Sequence, residues 1–226
     1  MTFSLILRDE RTGEIGSAIS SSSPAVAARC LNLADGFGAA HSQNVTDPRL
    51  GQQLLAQLQA GATAQQALDA VLADADDQAI DYRQLLVLDA DGNTAVHSGA
   101  QALGIYGSVQ HPNAVAAGNM LSSLEVLDAM VQAALQDTGT IEERLLAGLR
   151  AAMDAGGEAG PVHSAGLSVV GNAGWRVTDL RVDWDETDPV GKLAELLEIW
   201  LPQRQDYINR GLDPLLAPSY GVPGDE

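Results

Sequence analysis

The chain opens Thr2-Phe3-Ser4-Leu5-Ile6-Leu7-Arg8, turns through Asp9-Glu10-Arg11-Thr12-Gly13, and continues from Ile15 to about Ser21. Phe3, Leu5 and Leu7 alternate with Ser4, Ile6 and Arg8, and a period of two is the signature of a strand. The intervening residues have turn chemistry, so the opening predicts a hairpin. Further strands follow the same logic. Residues 37–42 predict a third strand. Leu85-Leu86-Val87-Leu88 is a continuous apolar run, the mark of a strand covered on both faces. Asp91-Gly92 is a hairpin signal, with Thr94–Ser98 pairing back. Residues 115–118 predict another strand, and residues 165–170 and 175–182 a last hairpin around Gly171-Asn172-Ala173-Gly174.

Helices arrive in pairs between these strands. Asp47 caps the first, with Pro48 at its first position; Leu50, Leu54, Leu55 and Leu58 form its face, and Gly61 sits where it ends. Thr63 with Gln66 is a capping box for the second. Ser122 with Glu125, and Thr140 with Glu143, predict capping boxes for the next two, with Gly156-Gly157 closing the latter. A final helix carries Leu193, Leu196, Leu197, Trp200 and Leu201 at i, i+3, i+4, i+7 and i+8, and its spacing makes Trp200 a core residue. Pro202 is expected to kink or end it. Hairpins and paired helices predict an α+β fold of two packed antiparallel sheets flanked by helices. One domain over residues 1–210 and an irregular tail over 211–226 are expected.

Composition narrows the function. The 226 residues are 46% hydrophobic and only 4% aromatic, so the core is aliphatic, and the net charge is −18 with no Lys/Arg cluster. Such a charge repels phosphate backbones and anionic membranes, so no nucleic-acid partner is expected. No stretch approaches the ~20 apolar residues of a membrane span, so no membrane partner is expected either. The single cysteine, Cys30, allows no intrachain disulfide and reads as a core thiol. With no secretory leader, it points to a reducing, cytoplasmic setting. The apolar tail residues Leu212, Leu215, Leu216 and Tyr220 are compatible with a homo-oligomer or with cover for the chain's own core.

No metal site is expected, because His41, His97, His111 and His163 fall in no ligand spacing beside one another or a Cys pair. No cofactor is expected either: neither a nucleophile elbow nor a P-loop nor a dinucleotide fingerprint is present. Ser20-Ser21-Ser22-Ser23 is either a polar strand end or the wall of a hydroxyl-lined pocket beside the start of the first strand. Thr2 begins that strand. If Met1 is removed, Thr2 carries a hydroxyl nucleophile and, in its own α-amine, a general base that titrates near ~8.

Several blocks resemble the bacterial domain of unknown function 1028 family. They are Thr2-Phe3-Ser4-Leu5-Ile6 with Asp9 and Thr12-Gly13-Glu14; Gly118-Asn119-Met120-Leu121 with Val126-Leu127-Asp128-Ala129-Met130; Glu143-Arg144-Leu145-Leu146; and Asp179-Leu180-Arg181-Val182-Asp183 with Asp188-Pro189-Val190. The resemblance implies the four-layer αββα sandwich of the N-terminal-nucleophile (Ntn) hydrolase-like proteins, with Thr2 as the nucleophile. In such enzymes backbone N–H groups or an Asn hold the oxyanion, which makes Asn119 a candidate donor; the alternative for Asn119 is a turn residue after Gly118. The chain differs from the family's usual residues at His41-Ser42-Gln43 and at Val162-His163, and it has no lysine before Lys192. The expected activity is hydrolysis of an amide-like bond in a small-molecule ligand. Thr2 and Asn119 would be catalytic, and Ser21, His41 and His163 would contact the substrate. The alternative is a non-catalytic small-molecule-binding or oligomeric scaffold protein of the same fold.

Overall fold

The structure is a computed structural model that describes residues 1–75 and 77–224. In chain order the elements are β1 (Thr2–Arg8), β2 (Ile15–Ser21), α1 (Val26–Cys30), β3 (Leu31–Ala34), β4 (Gly38–Asn44), α2 (Pro48–Gln59), α3 (Ala64–Asp74), α4 (Asp77–Ile80), β5 (Arg83–Asp89) and β6 (Thr94–Ser98). They continue with β7 (Ile105–His111), β8 (Ala114–Leu121), α5 (Glu125–Gln136), α6 (Ile141–Asp154), β9 (Ser164–Val170), β10 (Arg176–Val182) and α7 (Pro189–Leu212). The strands form a six-stranded sheet, β10-β9-β2-β1-β8-β7, and a four-stranded sheet, β3-β4-β5-β6. Every pairing is antiparallel.

Strand alternation builds the layers. Phe3, Leu5 and Leu7 of β1 face α5 and α6, in one core with Met130 and Leu145, and α7 adds Leu193 to that core from over β9 and β10. Ile6, with its neighbour Val115 of β8, faces the other sheet, against Leu86 and Leu88. On the far side Leu85 and Val87 of β5 meet Leu54 and Leu68 of α2 and α3. The result is two antiparallel sheets flanked by helices in an αββα-type sandwich. The apolar run of β5 is buried on both faces, as its composition requires.

Local signals hold in most places. The Asp47 side chain accepts the Arg49 N–H at 3.1 Å, and the boxes Thr63–Gln66 and Thr140–Glu143 both form. Gly156 and Gly157, both at positive φ, close α6.

Five readings differ. The helix α1 and the short strand β3 fall between β2 and β4, so the expected third strand is the fourth and spans Gly38–Asn44. The edge strand β7, with its exposed Ile105 and Tyr106, has no clean alternation and was not expected. Ser122 does not cap α5: its hydroxyl donates to the Gly157 carbonyl at 3.2 Å, and the helix begins after Leu124 without a side-chain cap. Pro202 does not end α7, which runs on for ten more residues to Leu212. Contacts beyond the proline hold that continuation: Tyr207 stacks on Trp200 at 5.2 Å, and Arg204 pairs with Glu14 and, at 2.7 Å, with Glu142. Trp200 itself is half-buried rather than fully in the core, and its indole N–H donates to Thr178 Oγ1 at 3.0 Å.

Candidate functional site

The layer between the sheets changes chemistry along its length. Around Ile6, Ile15, Leu88 and Val170 it is aliphatic. Toward the start of β1 the same inward faces carry Thr2, Ser4, Ser21, His41, Gln43, Gln84 and Asn119, all buried. The period of two puts Thr2 and Ser4 on the face of Ile6, so a polar strand start becomes a polar end of the sandwich.

Register brings three of the sequence candidates together. Thr2 pairs with Asn119 of β8, and Phe3 pairs with Ser20 of β2, which sets Ser21 level with Thr2. Thr2 Oγ1 lies 3.3 Å from Ser21 Oγ, and both hydroxyls hydrogen-bond to the Met1 carbonyl. Ser21 Oγ is also 2.9 Å from Ser23 Oγ, which accepts from the Arg29 guanidinium at 2.8 Å. Within the serine run, Ser21 and Ser23 therefore form a linked hydroxyl cluster with Thr2, while the Ser20 hydroxyl donates to the Ser164 carbonyl at 3.0 Å. His163 stands at its edge. Its backbone N–H donates to the Ser21 carbonyl at 2.8 Å, and its ring stacks on Trp184 with centroids 4.4 Å apart. His41 does not join the cluster. It is wholly buried between the sheets, with Nδ1 3.0 Å from Ser4 Oγ.

A chain of buried amides connects His41 to Asn119, and backbone carbonyls fix its direction. Gln84 Nε2 donates to the carbonyls of Gly107 and Gly118 at 3.3 and 3.2 Å, and Gln43 Nε2 donates to that of Ala117 at 3.2 Å. A carbonyl can only accept, so both amide oxygens point the other way. Gln84 Oε1 then accepts from Gln43 Nε2 at 2.8 Å and Asn119 Nδ2 at 3.3 Å. Gln43 Oε1 accepts the Ser4 hydroxyl at 2.7 Å, which makes Ser4 the acceptor for the His41 Nδ1–H. In this network two buried acceptors, His41 Nε2 and Asn119 Oδ1, have no partner among the described residues. Burial pushes His41 down to about 3, so its ring is neutral. Met120, next to Asn119, holds φ 50°, a strained backbone for a residue with a side chain.

One residue at this end carried no sequence signal. Glu158, only 5% exposed, accepts the Ser22 N–H at 3.2 Å. Burial pushes its carboxyl up to about 7, against the opposing pull of the nearby α-amine charge and the Ser22 N–H. Gln43 and Gln84 were also missed; their only trace is a polar residue at an inward strand position. Among the described residues no group of three or more His, Cys, Asp or Glu is placed to hold a metal ion, and no helix is long and apolar enough to cross a membrane. A cavity of about 500 Å³ opens instead between α6 and α7, lined by Leu146, Arg150, Leu197 and Leu201; none of the five sequence candidates lines it.

Fold and site together define an αββα-type sandwich whose inter-sheet layer turns polar at the start of its central strand. The chain belongs to the family of unknown function DUF1028, whose model matches residues 2–193. It is similar to a Silicibacter pomeroyi protein of that family, known from a crystal structure, at 32% identity and a TM-score of 0.85, over 92% of this chain and 90% of the other. More distant likenesses are to Anbu (ancestral beta-subunit) from Yersinia bercovieri, at 10% identity and a TM-score of 0.39 over 88% and 97% of the two chains. Anbu (Gly-1) mutant from Hyphomicrobium sp. strain MC1 follows at 11% and 0.42, over 90% and 96%. No match was found among curated proteins.

Proposed function

We propose that this protein is an Ntn-type hydrolase of an amide-like bond in a small cytoplasmic metabolite, with Thr2 as nucleophile once Met1 is removed. The observation that carries the reading is the place of the Thr2 hydroxyl: buried on the inward face of the central strand, 3.3 Å from Ser21 Oγ and paired in register with Asn119. The hydroxyl oxygen bonds to the substrate carbonyl carbon, and its proton passes to the α-amine of Thr2. The amine returns that proton to the leaving nitrogen as the C–N bond breaks, and water then hydrolyses the ester left on Thr2. Asn119 has a second Nδ2–H beyond the one given to Gln84, which with backbone amides serves a developing oxyanion. Ser21 and His163 border the substrate, while His41 supports Ser4 from below. No cofactor enters the scheme.

The test is intact mass of protein from its native host, treated with a hydroxyl-reactive electrophile. A species beginning at Thr2 that gains one probe mass, and a Thr2→Ala variant that gains none while melting within a few degrees of the parent, support the reading. A species that keeps Met1 and stays unlabelled overturns it. One observation favours the second reading, a non-catalytic binding or scaffold protein: with Met1 in place its carbonyl engages both the Thr2 and Ser21 hydroxyls.

A further inference from the structure

Past the end of α7 the chain presents an apolar knob that its own fold does not cover. Leu215 and Leu216 are 93% and 80% exposed, more than any other large apolar side chain among the described residues. The turn that carries them is fastened on both sides. At its start the Asp213 side chain accepts the Leu215 N–H at 3.1 Å, and the Asp213 carbonyl accepts the Leu216 N–H at 3.2 Å. At its end Arg210 of α7 donates to the Pro218 carbonyl at 3.1 Å, with its guanidinium 3.9 Å from the centroid of the Tyr220 ring. The tail is thus tied to α7, and both leucines are held out to solvent rather than over the chain's own core.

The cavity of about 500 Å³ between α6 and α7 has an apolar lining of Leu146, Ala147, Ala151, Ala194, Leu197 and Leu201. An apolar cavity of roughly 150 Å³ takes up benzene, so this one has room for two leucine side chains. Knob and cavity lie at opposite ends of one face of α7. Leu201, Gln205, Asn209 and Leu212 follow one another at i, i+4, i+8 and i+11, a single helical stripe. That stripe bears no charge, on a chain whose net charge is −18. A face with a hole at one end and an apolar knob at the other is complementary to itself under a two-fold rotation. We propose that two copies of this chain pair through the α7 stripes, running antiparallel, with Leu215 and Leu216 of each copy seated in the α6–α7 cavity of the other. Charge supports the same register. Arg150 borders the cavity and forms no ion pair with any described residue, while Asp213 stands beside the knob. Gln205 and Asn209, hydrogen-bonded to each other at 2.9 Å, fall midway along the stripe, where a charge would face its own copy. Glu143, Asp154 and Glu198 on the cavity rim add to the repulsion between two acidic copies, a term that salt screens. The pairing does not depend on the chemistry proposed at Thr2.

Sedimentation equilibrium of the full-length protein over a range of concentrations measures the pairing. The expected result is a monomer–dimer equilibrium that tightens as NaCl rises from about 0.05 M to about 0.5 M. L215E/L216E charges the knob and A151E charges the cavity. Each should weaken the dimer at least about tenfold, while circular dichroism shows the dilute variants melting within a few degrees of the parent. Mixed in equal amounts, the two variants should pair more tightly than either does alone, because the intact knob of A151E still meets the intact cavity of L215E/L216E. If A151E does not fold, A147E charges the same cavity in its place. A protein that stays monomeric at about 100 µM in about 0.5 M NaCl overturns the proposal. So does a dimer weakened by L215E/L216E but not by the cavity variant, which would mean tail-to-tail contact, and so does a mixture no tighter than its two parents.

Discussion

Asn119 donates its side-chain N–H to Gln84 Oε1 at 3.3 Å, across the gap between the six-stranded and four-stranded sheets. This bond joins residue 119, beside Thr2 in the register of β1 and β8, to a buried glutamine of β5. Because Gln84 Nε2 is committed to the Gly107 and Gly118 carbonyls, its oxygen faces Asn119 and Gln43. The polarity of Asn119 is thus set from the opposite sheet.

Gln84→Ala should destabilise the protein by about 3 kcal/mol. It strands the Gly118 carbonyl and the Asn119 amide in a buried layer, and each buried group left without a partner costs about 1–3 kcal/mol. Urea denaturation measures this. A loss below about 1 kcal/mol would show that water replaces the glutamine.

Two buried groups give opposite pH dependences between pH 4.5 and 6.5. His41 is held at about 3 against 6.5 when unfolded, so its contribution is present above 6.5 and is lost as pH falls toward 3. Glu158 is held at about 7 against 4.5, so its contribution is present below 4.5 and is lost as pH rises through 7. Each proton contributes a slope of up to about 1.4 kcal/mol per pH unit, and the two offset each other. Glu158→Gln should expose the His41 slope, making stability rise with pH across this window, and His41→Asn should leave the reverse. Denaturation midpoints at four pH values in each variant decide it; parallel curves would reject both assignments.

The end of α7 should depend on Arg204. Glu142 is 1% exposed and receives Arg204 at 2.7 Å and the Thr178 hydroxyl at 2.7 Å. Arg204→Ala leaves a buried carboxylate without its cation, which typically costs about 3–5 kcal/mol. Trp200→Phe keeps the ring, loses one hydrogen bond to Thr178 and should cost about 1 kcal/mol. Limited proteolysis past Pro202 in Arg204→Ala, absent in the parent, would accompany the loss; equal resistance in both would place the anchor elsewhere.

Ser21→Ala should slow labelling of a Thr2-initiated protein by about tenfold, the equivalent of one hydrogen bond to the nucleophile. Rates at fixed probe concentration measure it. An unchanged rate would reduce Ser21 to a strand-end residue.

Much of the fold is legible in residue order. Alternation over residues 3–8, the apolar run 85–88 and the caps at Asp47, Thr63 and Thr140 are local signals, and local backbone and side-chain chemistry is enough to read them. The misreadings fall where a local signal met a distant partner. Ser122 had the spacing of a cap but gave its hydroxyl to Gly157. Pro202 lacks an N–H, yet the helix does not end there: the Trp200–Tyr207 stack spans the proline and the Arg204 ion pairs anchor the turns beyond it. The exposed edge β7 buries too little of either face to show a period. At the site, Thr2, Ser21 and Asn119 were legible because hairpin geometry and a sequence block place them.

Sequence by itself determined the class of fold, the acidic surface and the hydroxyl-rich start of the central strand, since these depend on composition and short-range periodicity. Tertiary structure alone decided which inward positions of two sheets face one another. That pairing commits Gln43, Gln84 and Asn119 to one directional network, makes His41 neutral, and brings Glu158 to the Ser22 N–H. The physical reason is that hydrogen-bond direction and desolvation depend on groups some 35 to 136 residues away along the chain, and no local window contains both partners.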